Sequence, residues 1–283
     1  MLIRYGYEIK LACEQPTALV CLLSVREERR GDLLVPETLI TSPEVPTHIY
    51  HDLFGNRCMR LVAPAGGVTI WCDATIKSTG ALDPTLPLAR EIAVPELPDE
   101  CLVYVLGSRY CETDRLSQVA WDLFGNIAPG WGRVQAICDF VNGHLTFDYM
   151  QARSTRTAAE AYEERIGVCR DFAHLALTFC RCLNIPARYV NGYLGDIGVP
   201  VRDPMDFSAW IEVYLDGAWH TFDPRNNVPR IGRIVVARGR DAADIPLINS
   251  FGPHILSSFQ VWTYEVDEVS DEPPVGPPES PRI

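Results

Sequence analysis

The sequence predicts an α+β protein: an N-terminal antiparallel β-sandwich, followed by helices packed on an antiparallel sheet. Three observations carry this. Residues 1–112 are short apolar stretches separated by Pro, Gly and Asn/Asp turns, the spacing of strands in a sandwich. From residue 113 the apolar period lengthens to that of helices. After Pro186 it returns to strands, two of them joined by Asp216-Gly217, a strong two-residue hairpin signal.

In the first unit, strands are expected over 3–11, 18–25, 58–62, 68–76 and 101–106. Met1–Glu8 alternates like a strand and has neither an uninterrupted apolar region nor a small-residue cleavage site, so no export leader is read there. Two helices follow, with Leu116, Val119, Ala120 and Leu123 before Gly125, and Val134, Ile137, Cys138 and Val141 before Gly143. Each glycine reads as a left-handed C-terminal cap. A third helix opens at Thr157-Ala158-Ala159-Glu160, a capping-box spacing. The fourth starts at Cys169, carries Phe172, Leu175, Ala176, Phe179 and Leu183 on one face, and stops before Ile185-Pro186. This helix is expected to be central and buried. Strands then cover 187–194, 207–215, 218–223 and 259–266. The organisation expected is a sandwich at 1–112, a core at 113–268, and a disordered Pro-rich acidic tail at 269–283. Asp-Leu-Phe-Gly-Asn occurs at 52–56 and at 122–126, but its flanks differ in period, so it is read as coincidence rather than repeat.

With 283 residues, 47% of them hydrophobic, the chain can bury a sizeable core. A formal charge of −12 argues against nucleic acid or an anionic membrane as partner, because an acidic surface repels phosphate. No run of about 18 apolar residues marks a membrane span. The ten cysteines are scattered, with no C-x-x-C, so they are read as reduced thiols of a cytoplasmic protein, and no metal site or cofactor is expected. Nine of them read as small buried hydrophobes.

The tenth, Cys169, stands at the first turn of a helix, where unsatisfied backbone N–H groups and the positive dipole end favour a thiolate. Downstream, the Asp216-Gly217 hairpin sets opposed residue numbers to a constant sum. Trp210 then opposes Asp223 and Val213 opposes His220, and Ser208 becomes a diagonal neighbour of Asp223. Alternation puts Ser208, Trp210, Glu212, Thr221 and Asp223 on one face, which is expected to meet the helix carrying Cys169. A general base for Cys169 would belong at 208, yet serine stands there. His174 lies five residues after Cys169 and points elsewhere round the helix; His220 is on the other face; His48, His51, His144 and His254 carry no positional signal. Arg170 could help hold a thiolate, and Trp210 and Trp219 could wall a cleft. Glu212 reads as a structural ion-pairing residue. Gly66-Gly67 and Arg238-Gly239-Arg240-Asp241 lack the pattern of a phosphate loop.

Gly-Val-Cys-Arg-Asp-Phe-Ala-His at 167–174, Ile-Pro-Ala-Arg-Tyr-Val-Asn-Gly-Tyr-Leu at 185–194, Phe-Ser-Ala-Trp-Ile-Glu-Val-Tyr-Leu at 207–215 and Phe-Asp-Pro at 222–224 resemble the bacterial transglutaminase-like superfamily of papain-like cysteine enzymes. The resemblance spans about residues 130–232, and the preceding β region is similar to the domain that often accompanies it. It implies a papain-like transglutaminase core with Cys169 as nucleophile, Asp223 as acidic orienter, and position 208 in the place of the family's histidine. It further implies a peptide, protein or amide-containing small-molecule substrate, attacked to give an acyl-thioester that passes to water or an amine. A serine cannot shuttle that proton at neutral pH, so two readings stand: a cysteine hydrolase or acyltransferase of altered activity, and an inactive relative whose cleft binds a peptide or protein. Oligomeric state is not legible.

Overall fold

The computed structural model describes residues 1–201 and 207–269. The expected tail falls outside these residues except for its first position. Strand β1 (Leu2–Ala12) buries Ile3, Tyr5, Tyr7, Ile9 and Leu11, the period-two pattern read from the sequence. There follow β2 (Thr17–Cys21), β3 (Leu33–Val35), β4 (Ile40–Ser42), β5 (Thr47–His51), β6 (Arg57–Ala63) and β7 (Val68–Lys77). The stretch expected as a strand at 101–106 instead opens inside the short helix α1 (Asp99–Leu102). Pro98 sits at its start and cannot donate into a ladder.

The helical region holds α2 (Thr113–Phe124), α3 (Trp131–His144), β8 (Thr146–Phe147), α4 (Ala158–Glu164), β9 (Ile166–Gly167) and α5 (Cys169–Cys182). Thr157 and Glu160 form the expected capping box at α4. Neither expected glycine cap occurs: Gly125 keeps right-handed helical backbone at φ −61°, and Gly143 lies inside α3. The second Asp-Leu-Phe-Gly-Asn copy thus ends α2, whereas the first is the turn between β5 and β6.

Four strands make the core sheet: β10 (Ala187–Tyr193), β11 (Ser208–Leu215), β12 (Ala218–Phe222) and β13 (Ile234–Gly239), in the order β12-β11-β10-β13 and antiparallel throughout. The hairpin register is the expected one, with Val213 opposite His220 and Ile211 opposite Phe222. Asp216 and Gly217 take φ of 50° and 86°, the left-handed pair a type I′ turn requires. β13 was not read from the sequence, although Ile234-Val235-Val236-Ala237 between Gly232 and Gly239 is a short apolar run.

The chain then returns to its beginning. β14 (Ile248–Ser250) pairs with β2, and β15 (Ile255–Val266) pairs along the whole of β1, from Leu2 opposite Val266 to Ala12 opposite Ile255. The first unit is two antiparallel sheets, β15-β1-β7-β3 with β4 on β7, and β14-β2-β6-β5. The last strand, read as part of the second unit, therefore lies in the first sheet. Gly6 makes that pairing possible: a Cβ there would stand 2.3 Å from the Cys72 carbonyl and 2.4 Å from the Trp262 ring. Trp262 closes the contact by donating its Nε1–H to Asp73 at 2.6 Å.

Candidate active site

α5 is the buried axis of the core, with every residue from Asp171 to Cys182 buried. Only its first turn is partly open. Its start is fixed by a carboxylate: the Val168 N–H donates to Asp171 Oδ2 at 2.9 Å, and Arg156 Nη1 donates to the same oxygen at 3.1 Å. The Asp171 side chain is fully buried. Gly167 is required for it, since a Cβ at 167 would lie 2.6 Å from Asp171 Cβ and 2.8 Å from its Oδ2. All ten cysteines lie among the described residues and none is in a disulfide; nine are buried and Cys169 is partly exposed. Burial, with the Cys169 thiol close by, pushes the Tyr189 phenol well above its ordinary range. It therefore stays a neutral hydroxyl.

The four-residue connection 183–186 folds α5 back against β10, and His174 contacts Tyr189 at 5.0 Å between ring centroids. Fourteen helical residues and seven strand residues both span about 20 Å. The start of α5 is thus level with the end of β10, where Gly192 pairs with Ser208. Cys169, Ser208 and Asp223, which follows the last residue of β12, all stand at that end of the sheet.

The helices pack on the opposite face from the one expected. His174 of α5 meets Tyr189, and Trp131 of α3 meets Phe222 at 4.4 Å. Tyr189, Ile211 and Phe222 are opposed across three strands, so their face is the helix-covered one. The reason is burial. Ala209, Ile211, Val213 and Leu215 are wholly apolar, whereas the other face carries Glu212 between Arg188 and Arg238, whose Nε atoms donate to it at 2.6 and 2.8 Å. Those charges are better matched to the first unit, where Arg238 also pairs with Glu28 and its carbonyl accepts from Asn56 at 2.8 Å. By alternation Ser208 lies on that second face with Trp210. Its hydroxyl is buried without a hydrogen-bond partner among the described residues.

Asp223 is the most heavily bonded carboxylate of the site. Oδ1 accepts from the Arg225 N–H at 3.1 Å and the Asn226 N–H at 3.0 Å; Oδ2 accepts from Asn226 Nδ2 at 2.8 Å and Arg233 Nη2 at 2.9 Å. Burial alone would raise its pKa, but the Arg233 charge and these donors outweigh burial and hold it below the usual carboxylate range. Arg233 also donates from Nε to Asp83 at 2.8 Å, and its guanidinium lies 4.8 Å above the Trp210 ring. A small open cleft beside Asp223 is lined by Trp131, Gln135, Cys138, Thr221 and Asn227. Asn226 was read, with Arg225 and Asn227, as a loop at the rim; Asp83 and Arg233 were missed as site residues, and the unread strand β13, which Arg233 directly precedes, was the available signal.

Two expected binding residues have other work. Trp210 is completely buried beneath Arg233, so it is a floor of packed ring and cannot wall an open cleft. Arg170 donates from Nη1 to the Ser154 carbonyl at 3.0 Å and from Nη2 to the Arg153 carbonyl and Asp171, which ties the preceding loop to α5. The histidines have contacts elsewhere. His174 is fully buried between Tyr110 and Tyr189 and accepts from the Ala242 N–H at 3.2 Å; burial, then Arg170 and Arg181, keep it neutral. His144 bonds the Tyr162 carbonyl, His220 the Leu215 carbonyl and His254 Ser250; His48 stacks on Tyr50 and His51 sits by Glu27. Among the described residues no group of three or more His, Cys, Asp or Glu could hold a metal ion. No helix among them is long and apolar enough to cross a membrane.

Helices on an antiparallel sheet, with a cysteine opening the central helix and an aspartate at the end of a hairpin, define a transglutaminase-like core. Residues 118–224 match the transglutaminase-like superfamily, and the fold of that segment agrees with a core of this kind. The crystal structure of a candidate cysteine protease from Cytophaga hutchinsonii is similar over 95% of this chain and 92% of that one, at 28% identity and a TM-score of 0.83. An uncharacterized protein of Mycobacterium leprae is 38% identical over 94 residues, and one of Mycobacterium tuberculosis is 37% identical over 115. These matches cover 30% and 36% of this chain and only 32% and 37% of the relatives, about a third of their length.

Proposed function

We propose that the chain performs cysteine-dependent acyl chemistry on amide or peptide bonds, with Cys169 as the nucleophile. One observation carries the reading: of ten cysteines Cys169 alone is not buried, and it opens the central helix, where N–H dipoles favour a thiolate. In the proposed reaction the Cys169 sulfur bonds to the carbonyl carbon, the C–N bond breaks, and the amine leaves with a proton. Ser208 holds its own proton at neutral pH, so that proton comes from water. The thioester then passes to water, giving an acid, or to a second amine, giving a new amide. Losing imidazole acid–base catalysis costs typically 10²–10⁴-fold in rate, so turnover is slow. The substrate we propose is a peptide, a protein or a small amide, and the reducing cytoplasm is the setting we propose for ten cysteines outside any disulfide.

A second reading, a binding module that keeps the cleft without chemistry, is favoured by one fact: Asp223 is bonded to Arg233 and to its own turn. The pH profile of iodoacetamide labelling separates the two, with Cys169→Ala as control and amine release from peptide amides measured in parallel. The enzyme reading expects a thiol titrating below the ordinary value of about 8.5, and amine release that Cys169→Ala abolishes. An ordinary thiol with no Cys169-dependent release leaves the binding reading.

A further inference from the structure

Asp223 has no acceptor position to spare. A carboxylate offers about four lone-pair sites, and four donors occupy it: the N–H groups of Arg225 and Asn226, Asn226 Nδ2 and Arg233 Nη2, all within 3.1 Å. The Arg233 side chain is only 7% exposed and is held on two sides, by Asp223 at 2.9 Å and Asp83 at 2.8 Å, with the Trp210 ring beneath it. Asp83 is fixed in turn, since it also accepts the Arg230 N–H at 2.9 Å while Arg230 pairs with Asp196 at 3.0 Å. Arg233 Nη1 is buried with no partner among the described residues. The guanidinium is held in place by its two carboxylates and the ring.

We infer that Arg233 is a positioning residue that has taken the place on Asp223 which an imidazole at 208 would occupy, exchanging a proton-transferring pair for a fixed ion pair. The inference rests on the reading of Asp223 as the orienting acid. It couples the serine at 208 to the arginine at 233. With Arg233 in place a histidine at 208 finds no acceptor on Asp223; with Arg233 gone a serine there offers a hydroxyl donor but no base that moves a proton at neutral pH. Restoring histidine alone is then insufficient to rebuild an acid–base pair.

The test is read on the introduced imidazole and needs no turnover, so it stands apart from the thiol measurement. S208H, S208H/R233M and S208H/N226A are prepared, and the C2–H resonance absent from the unmodified protein is titrated by NMR. In S208H the imidazole is expected to titrate at or below the ordinary value of about 6.5, since it has a guanidinium nearby and no carboxylate partner. In S208H/R233M it is expected to rise by about 1–3 units as Asp223 becomes available. Removing Arg233 also removes a cation, which by itself raises an imidazole pKa. S208H/N226A answers that, because it vacates one acceptor position on Oδ2 with Arg233 still present, and a smaller rise is expected. It also carries the test alone if S208H/R233M does not fold. A rise of more than one unit in S208H itself, or no rise in S208H/N226A, overturns the inference.

Discussion

Asp171 is the side chain on which the start of α5 depends. It is fully buried, caps the Val168 N–H and pairs with a guanidinium that is itself 4% exposed. Removing Arg156 leaves Asp171 with Arg170 at 3.2 Å and the Val168 N–H, so the cost is that of a lost buried charge-assisted hydrogen bond, about 1.5–3 kcal/mol. Arg156→Met is therefore expected to lose that much in urea denaturation, and Arg156→Met with Asp171→Asn to lose less than the two single changes added. Additive losses would mean that the pair is not coupled and that α5 is held by packing alone. Residue identity and hairpin register were enough to read Cys169, Ser208 and Asp223 as one set of positions. What Asp223 bonds to was not, because Arg233 reaches it across the sheet from the far edge strand, a contact ten residues away that no local pattern encodes.

Among the elements, α4, α5 and the β11–β12 hairpin were legible because each carries its own punctuation: a capping box, an Ile-Pro stop, and an Asp-Gly turn. The hairpin lends itself to a direct check. Gly217 at φ 86° sits where a β-branched residue is strained, so Gly217→Val is expected to cost about 1–3 kcal/mol, read as a lower urea midpoint with unchanged slope. An unchanged midpoint would show that the turn conformation is not needed for pairing. Strands β3, β4, β5, β13 and β14 were not read. Three of these five have three residues each, too short for an alternation to declare itself, and their register comes from neighbours. The face that meets the helices was also misread, since alternation separates two faces without saying which is covered. Burial of the apolar row decided it, and the Arg188-Glu212-Arg238 cluster was left facing the first unit.

At the scale of the molecule, the division at residue 112 follows composition but not pairing. β1 is hydrogen-bonded on one side by β7 and on the other by β15, so residues 1–112 alone lack a strand that covers β1 end to end. A fragment 1–112 is expected to show poor amide dispersion by NMR and no cooperative thermal transition, whereas the whole chain unfolds as one unit. A well-dispersed spectrum from that fragment would show the first sheet to be self-sufficient. Composition reveals where periodicity changes, but a strand near residue 260 that pairs with the first strand leaves no mark at either place. That pairing also sets an order of events during synthesis. β1 is synthesised well before β15, so one edge of β1 stays open until the whole intervening chain has been made. The sheet that β1 begins is completed only by β15. Until then its unpaired edge can dock on the same edge of a neighbouring nascent chain, which makes the yield of this protein more sensitive to polysome crowding and elongation rate than its final stability would suggest.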